Sequence, residues 1–232
     1  MKKILITGGS GFWGKNLAIN LFDKKKYKII LCSRNIENLR KASIDTKCDF
    51  YPININSFES VIDAFNYIRP DIVIHSAATK FVDLSEKFPE ECIETNINGS
   101  INIFRASEIF DVKKLVVIST DKAANPDSNI YSQSKSLMEN YFVNASHKSK
   151  IKIACIRFGN LCWSTGSVFN IWEEMTNTQK IVSTTGPNMR RFFIHVNHAC
   201  FLIKTVMNNI DKCNGLIITD YMKSSKILDI LK

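Results

Sequence analysis

The chain alternates short apolar runs with segments of helical periodicity. Runs rich in β-branched residues begin near residues 3, 27, 48, 71, 114 and 151, and each is long enough for one buried strand. Between them, apolar residues recur at helical spacing, most clearly over 61–68 and 93–109. Unbroken apolar strands suit a parallel sheet covered on both faces. The pattern therefore predicts an α/β fold, a doubly wound Rossmann-type parallel sheet.

The alternation weakens towards the end of the chain. We predict that residues 1–158 form the main α/β domain and that residues 159–232 form a small lobe facing the substrate. The last segment, SSKILDILK, has an apolar stripe without a helix cap after it. We therefore expect the chain to stop earlier than its architecture requires.

Composition excludes several classes of protein. With 232 residues, 45% hydrophobic and 23% charged, the chain can bury a core and does not resemble a disordered protein. No apolar run reaches the roughly 18 residues of a membrane span, and the start turns polar too soon for a signal peptide, so we expect a soluble cytoplasmic protein. The seven cysteines form no CxxC pair and are predicted to be buried thiols.

The net charge of +9 admits nucleic acid, an anionic surface or a phosphorylated small ligand. The basic residues are scattered rather than striped along one element. We therefore predict a solvated lysine-rich surface, with no nucleic-acid or membrane partner.

The first predicted strand runs into the glycine-rich sequence TGGSGFWG at 7–14 and then into a helix. Gly8 suits a tight turn, Gly11 lets the backbone approach a pyrophosphate, and Gly14 lets the helix pack on the strand. The free N–H groups of the helix N-terminus suit an anion. This context predicts a dinucleotide site that includes Thr7, Gly8, Ser10, Gly11, Phe12, Trp13 and Gly14.

The end of the second predicted strand bears on the choice of cofactor. Domains that prefer NAD carry an acid there, but this chain has Cys32, Ser33, Arg34 and Asn35. Ser33 and the planar guanidinium of Arg34 suit a 2′-phosphate instead, which favours NADP over NAD. The alternative is that Arg34 is an ordinary surface arginine.

The fifth predicted strand is followed by Thr120, Asp121 and Lys122, and then by Tyr131 and Lys135. A tyrosine and a lysine four residues apart share a helix face, so the ammonium is expected to lower the pKa of the phenol from its usual ~10. Tyr131 is thereby predicted to act as a base.

The motifs TGGSGFWG, HSAATK, TNINGS, STDKAANP, YSQSK, RFGN and MRRFF follow one another in this order. The chain resembles the extended short-chain dehydrogenase/reductase superfamily over essentially its whole length. Within it, STDKAANP resembles the inverting UDP-N-acetylglucosamine 4,6-dehydratases and their polysaccharide-biosynthesis relatives. This segment is far more specific than the glycine loop or the YxxxK pair.

The resemblance implies a lyase reaction on a nucleotide sugar. Tyr131, supported by Lys135 and Thr120, would take the proton of the carbon-4 hydroxyl while NADP accepts hydride. Lys122 would then remove the carbon-5 proton and Asp121 would protonate the departing carbon-6 hydroxyl. Lys122 must therefore lose a proton and Asp121 must hold one, and dry surroundings favour both neutral forms.

The resemblance also assigns further contacts. Ala77 and Ala78 would pass beneath the cofactor, Lys80 would face the active site near cofactor and substrate, and Asn96 would brace the catalytic region. The predicted contacts to the nucleotide sugar are Asn160, Ser167 and Arg191.

The sequence departs from the resemblance in the segment WSTGSVFN. Thr165 and Asn170 stand there in place of an expected arginine and proline, which leaves the identity of the sugar open. His195 and His198 have no further ligand at metal spacing nearby, so no metal site is predicted.

Two other functions remain open. A nucleotide-sugar 4-epimerase or ketoreductase needs Tyr131 and Lys135 but not the Asp121–Lys122 pair. A catalytically silent NADP-binding module needs none of these four. The superfamily resemblance also predicts a homo-oligomer.

Overall fold

The computed structural model describes residues 1–21, 23, 25–126, 129–164, 166–178, 182, 183, 186 and 188–231. Its main sheet has seven parallel strands in the order β3-β2-β1-β4-β5-β6-β9. These strands are β1 (Lys2–Thr7), β2 (Tyr27–Ser33), β3 (Asp49–Pro52), β4 (Ile72–His75), β5 (Lys114–Thr120), β6 (Lys152–Phe158) and β9 (Ile217–Ile218). A second sheet, in the order β10-β8-β7, comprises β7 (Asn160–Leu161), β8 (Arg190–Ile194) and β10 (Ser224–Lys226).

Helices cover both faces of the main sheet. The helices of the described residues are α1 (Phe12–Leu21), α2 (Ile36–Thr46), α3 (Phe58–Ile68), α4 (Val82–Lys87), α5 (Pro89–Ile93), α6 (Gly99–Ile109), α7 (Ile130–Ser146), α8 (Val168–Thr178), α9 (Val196–Asn208), α10 (Ile210–Cys213) and α11 (Ile227–Leu231). A π-helical turn (Glu94–Asn98) joins α5 to α6, and a 3₁₀ turn (Asp121–Ala124) follows β5.

The two faces of β1 show why the sheet is covered on both sides. Ile4 and Ile6 belong to the core on the α1 and α9 side. Leu5, between them, belongs to the core beneath α3, α6 and α7, where Phe65 and Phe142 are fully buried. Successive strand residues point to opposite faces, so an unbroken apolar run fills both cores. The predicted doubly wound Rossmann-type fold is confirmed, and all six predicted strands are present.

Helix α2 was not predicted from the apolar pattern because few of its residues are apolar and buried, chiefly Leu39 and Ala42. Its start is fixed by Asn35, whose Oδ1 accepts a hydrogen bond from the backbone N–H of Asn38 at 2.9 Å.

The part of the chain after residue 158 contacts the main sheet directly. Helix α9 packs on α1, and β9 pairs with β6 beside Cys155 and Ile156. The small second sheet is separate from the main sheet. The division between residues 158 and 159 stays a prediction.

All seven cysteines are free thiols; five are buried, as predicted, whereas Cys162 and Cys213 are half-buried. Within the described part of the chain, no helix has the length and apolar character that a membrane crossing requires.

Candidate active site

A cavity of about 930 Å³ lies at the carboxyl ends of β1, β2, β4, β5 and β6. In open α/β sheets, ligands bind at this edge. Most of the predicted site residues line the cavity: Gly8, Ser10, Gly11, Phe12, Trp13, Ser33, Arg34, Ala77, Ala78, Lys80, Thr120, Lys122, Tyr131, Lys135 and Asn160.

The glycine loop has the geometry predicted for it. Gly8 has φ +68°, a conformation that favours glycine, and its carbonyl accepts a hydrogen bond from Gly11 N at 3.0 Å. A Cβ on Gly14 would lie 2.4 Å from the Cα of Gly9, so only glycine lets α1 start this close to the loop. Gly9 was not predicted. A Cβ there would lie 2.7 Å from Cys32 N, so only glycine lets the loop pass this close to β2.

Thr7 does not line the cavity but fixes the backbone that does. Its buried hydroxyl oxygen accepts hydrogen bonds from the backbone N–H groups of Ser76 (3.0 Å) and Ala77 (3.1 Å). Its own proton is therefore directed at Nδ1 of His75, 2.8 Å away. Thr7 thus positions the loop after β4, where Ala77 and Ala78 form one wall.

His75 continues this chain of hydrogen bonds into α6. Its Nε2 lies 2.9 Å from the hydroxyl of Ser100, which donates to the carbonyl of Asn96 at 2.7 Å. Ser100 must then accept from Nε2–H, so the ring is the neutral Nε2–H tautomer. Burial, together with the positive charge of Lys135, lowers the pKa of His75 to about 3, which agrees with a neutral ring.

Asn96 braces the cavity wall, as predicted. Its amide donates to the carbonyl of Thr79 at 3.1 Å and to the hydroxyl of Ser134 at 3.0 Å. Its Oδ1 accepts from Thr79 N at 2.8 Å. The side chain thereby joins the loop after β4 to α7.

The end of β2 carries a carboxylate that the local sequence did not reveal. Ser33 and Ser10 share a hydrogen bond of 2.8 Å between their hydroxyl oxygens. Arg34 Nη1 donates to Glu91 Oε1 at 3.3 Å. Glu91 comes from α5 and also lines the cavity. No acid follows β2 in the sequence, but the fold brings the carboxylate of Glu91 to the end of this strand.

Tyr131 and Lys135 lie on the first turns of α7 and are both buried. Lys135 Nζ donates to the carbonyl of Ile118 at 2.8 Å and contacts Met138 Sδ at 3.3 Å. Burial lowers the pKa of Lys135 to about 8.

The expectation of a lowered phenol pKa is wrong for the protein alone. Burial raises the pKa of Tyr131 to about 12, and the hydroxyl of Thr120 opposes this only in part. The loss of solvation outweighs any effect of the nearby ammonium. The phenol is therefore protonated at neutral pH.

Asp121 and Lys122 lie on the 3₁₀ turn, both partly buried. The hydroxyl of Thr120 donates to Asp121 Oδ1 at 3.0 Å, and Lys122 Nζ lies 3.6 Å from the same oxygen. The side chains are 19% and 32% exposed, so the pair does not face bulk solvent. Lys122 and Thr120 line the cavity, whereas Asp121, between them in the sequence, is not among the lining residues.

A buried ion pair holds this turn against α7 and β6. Arg157, the penultimate residue of β6, donates from Nε and Nη2 to both oxygens of Glu139, at 2.6–3.1 Å. The carboxylate is 1% exposed. Arg157 Nη2 also reaches the carbonyl of Ala123, within the turn, at 3.4 Å.

Of the three residues predicted to contact only the nucleotide sugar, one lines the cavity and two do not. Asn160 lines the cavity and donates to the carbonyl of Phe192 at 3.2 Å. Ser167 donates to Asn170 Oδ1 at 2.8 Å, and Arg191 donates to the carbonyl of Arg190 at 2.9 Å. Neither Ser167 nor Arg191 lines the cavity, so their contact with a nucleotide sugar stays a prediction. Thr165 lies outside the described residues.

Sequence reasoning missed several lining residues. Ile53 and Ile55 follow β3, and ligands in such sheets bind at the carboxyl ends of the strands. Ser119, the first residue of STDKAANP, lines the cavity but was given no role. Phe81, Glu91, Thr95 and Phe158 also line the cavity.

Among the described residues, no group of three or more His, Cys, Asp or Glu could hold a metal ion.

A family model described as polysaccharide biosynthesis protein matches residues 4–232. The chain belongs to this family. The resemblance predicted from STDKAANP is thereby confirmed.

Among curated relatives, UDP-N-acetylglucosamine 4,6-dehydratase (inverting) of Campylobacter jejuni is 34% identical over 99% of this chain and 70% of its own length. A UDP-glucose 4-epimerase of Rickettsia bellii is 35% identical over 83% of this chain and 59% of its own length. The chain therefore spans between 59% and 70% of these relatives.

Among solved structures, a Thermus thermophilus UDP-glucose 4-epimerase in complex with NAD has a TM-score of 0.84 and 21% identity, over 99% of this chain and 81% of that one. This likeness shows the fold.

Proposed function

We propose that the protein is a nucleotide-sugar 4,6-dehydratase that uses NADP and acts on UDP-N-acetylglucosamine. The observation that carries the proposal is that Lys122, paired with Asp121, lines the same cavity as Tyr131. The similarity to the inverting dehydratase of Campylobacter jejuni supports the same reaction.

The residues present fit a dinucleotide. A Cβ on Gly11 would meet only the carbonyl of Gly8, at 3.2 Å, so the loop leaves room for a pyrophosphate at the start of α1. Gly8, Gly11 and Phe12 would hold the phosphates, and Arg34 would hold the 2′-phosphate of NADP. The bound cofactor would supply a reversible hydride acceptor with a positive charge.

That positive charge explains how Tyr131 can serve as a base. A pKa of about 12 keeps the phenol protonated in the protein alone. A bound cation near the phenol would favour the phenolate, as would protonated Lys135. Tyr131 would then take the proton of the carbon-4 hydroxyl, and the hydrogen on carbon 4 would leave as hydride to the bound cofactor, so that a ketone remains at carbon 4.

The Asp121–Lys122 pair would carry out the loss of water. Moving one proton from the ammonium to the carboxylate converts the ion pair into a neutral acid and a neutral amine without any change in net charge. Lys122 would then remove the carbon-5 proton, which the carbon-4 ketone makes acidic. Asp121 would donate its proton to the carbon-6 hydroxyl, which departs as water and leaves a double bond between carbons 5 and 6. A proton returned from Lys122 to carbon 5, with the hydride taken up from carbon 4 going to carbon 6, would complete the 4-keto-6-deoxy sugar.

A UDP-glucose 4-epimerase is the second candidate, favoured by the relative from Rickettsia bellii. That reaction needs Tyr131 and Lys135 but no base at carbon 5. The two functions therefore differ in their dependence on Lys122.

The deciding experiment incubates the protein with NADP⁺ and UDP-N-acetylglucosamine in heavy water. A dehydratase gives a product lighter by one water that carries deuterium at carbon 5. An epimerase gives a product of unchanged formula that retains the carbon-6 hydroxyl.

Lys122→Met should lower the rate of water loss by about 10²- to 10⁴-fold, the usual contribution of a general base. The control is Lys113→Met, since Lys113 does not line the cavity. Epimerisation by the wild type, or an active Lys122→Met variant, would contradict the dehydratase proposal.

A further inference from the structure

The end of β2 presents a cation and an anion to the same end of the cavity. We propose that Glu91 sets the choice between NAD and NADP. Its carboxylate accepts the ribose hydroxyls of NAD, and it must release Arg34 before the 2′-phosphate of NADP can bind there. This inference rests on the dinucleotide site of the proposed function.

Both partners lie at the end of β2, where dinucleotide-binding domains of this fold hold the adenosine ribose. Arg34 directly follows Ser33, the last residue of β2, and its Nη1 donates to Glu91 Oε1 at 3.3 Å. The hydroxyl of Thr95, one helical turn after Glu91, donates to the same oxygen at 3.3 Å. All four residues line the cavity.

Both side chains keep unused hydrogen-bonding atoms. Within the described part of the chain, Glu91 Oε2 accepts no hydrogen bond, and neither Nε nor Nη2 of Arg34 donates one. The carboxylate can therefore accept from a ribose hydroxyl, and the guanidinium can turn a pair of donors to a phosphate.

The carboxylate performs from another element the task usually given to an acid at the end of β2. In NAD-preferring domains that acid holds the ribose hydroxyls and repels a 2′-phosphate. Here it arrives from α5, so it meets the ribose position together with Arg34. A 2′-phosphate is attracted by Arg34 and repelled by Glu91, whereas an uncharged ribose hydroxyl can donate to Glu91 without repulsion.

The pair is weak enough to exchange its partners. The side chains of Arg34 and Glu91 are 61% and 50% exposed, and ion pairs at this exposure contribute little to stability. Opening the pair therefore costs little when NADP binds. We infer that the site accepts both dinucleotides, with a preference for NADP that Glu91 reduces.

The test measures the dissociation constants of NADP⁺ and NAD⁺ for the whole chain by titration calorimetry. Glu91→Gln should tighten NADP⁺ and weaken NAD⁺, each by about three- to tenfold, the effect of one hydrogen bond or charge contact. The control is Glu90→Gln, which removes the same charge from α5 at an exposed residue that does not line this cavity. It should leave the ratio of the two constants unchanged.

A reciprocal variant separates this inference from the proposed function. Arg34→Gln should weaken NADP⁺ and leave NAD⁺ bound as tightly as before, or more tightly. The inference is overturned if Glu91→Gln changes the ratio no more than Glu90→Gln does, while the wild type still binds a dinucleotide. If the wild type binds neither dinucleotide, the proposed function falls as well.

Discussion

At the scale of single residues, Ser119 is a polar residue of the cavity wall whose hydroxyl lacks a partner among the described residues. This hydroxyl is buried. The neighbouring residues of β5 are engaged, because the carbonyl of Ile118 accepts from Lys135 and the hydroxyl of Thr120 donates to Asp121. A buried hydroxyl without a partner costs free energy.

We therefore expect Ser119→Ala to have opposite effects on the free and the bound protein. Without ligand, the variant should be more stable by about 1 kcal/mol, because the unpaired hydroxyl is gone. With NADP⁺, its gain in melting temperature should be smaller than that of the wild type, because we expect the unpaired hydroxyl of a cavity-lining residue to pair with the bound ligand. Thermal melts with and without NADP⁺ measure both effects.

Ser107→Ala is the matched control for this prediction. Ser107 is also fully buried, but its hydroxyl donates to the carbonyl of Ile103 at 2.7 Å and does not line the cavity. That variant should melt no higher than the wild type and should gain as much from NADP⁺. If Ser119→Ala proves less stable than the wild type without ligand, its hydroxyl has a structural partner instead.

At the scale of elements, the pair between Glu139 of α7 and Arg157 of β6 ties the 3₁₀ turn (Asp121–Ala124) to the sheet. Arg157→Met leaves the buried carboxylate of Glu139 without its partner. The free energy of unfolding should fall by about 3 kcal/mol, the usual cost of breaking a buried pair. Turnover should fall too, because Ala123 loses its contact with the guanidinium.

The double variant Arg157→Met/Glu139→Met separates these two effects. It buries no unpaired charge, so urea denaturation should show most of the stability restored, while turnover stays low. Lys41→Met is the control, because the pair of Lys41 with Glu37 is exposed and should leave the urea midpoint unchanged. Recovery of full turnover in the double variant would show that the pair serves stability alone.

The same scale shows which elements a sequence reveals. The central strands could be predicted because burial on both faces demands unbroken apolar runs, as in KLVVIST. Helix α2 could not, because it buries little and depends on the cap by Asn35. Gly8 and Gly14 could be assigned because steric limits act within a few residues. Glu91 could not, because its role arises only where α5 meets the end of β2.

Desolvation explains why the pKa of Tyr131 differs from the expected one. The shared helix face of Tyr131 and Lys135 was predictable, and a lowered pKa of the phenol was expected from it. The folded protein buries both groups, which raises the pKa of Tyr131 to about 12 and lowers that of Lys135 to about 8. The spacing of two residues does not report how much water surrounds them.

At the scale of the whole molecule, buried His75 makes the free energy of unfolding depend on pH. In the folded protein its pKa is about 3, whereas the unfolded chain has the ordinary value of 6.5. Below pH 6.5 the unfolded state binds a proton that the folded state does not. Stability is therefore complete above pH 6.5 and is lost progressively as the pH falls towards 3.

For this one group, the free energy of unfolding should fall by about 2 kcal/mol between pH 7 and pH 5. His75→Asn should be less stable than the wild type at pH 7, because the hydrogen bonds to Thr7 and Ser100 are altered. It has no imidazole to titrate at this position, so its free energy of unfolding should change less between these pH values. Urea denaturation of the ligand-free protein at both pH values measures the difference. His198→Asn, at an exposed residue paired with Asp220, is the control and should keep most of the wild-type dependence. Equal pH dependence in His75→Asn and the wild type would place the titrating group elsewhere in the molecule.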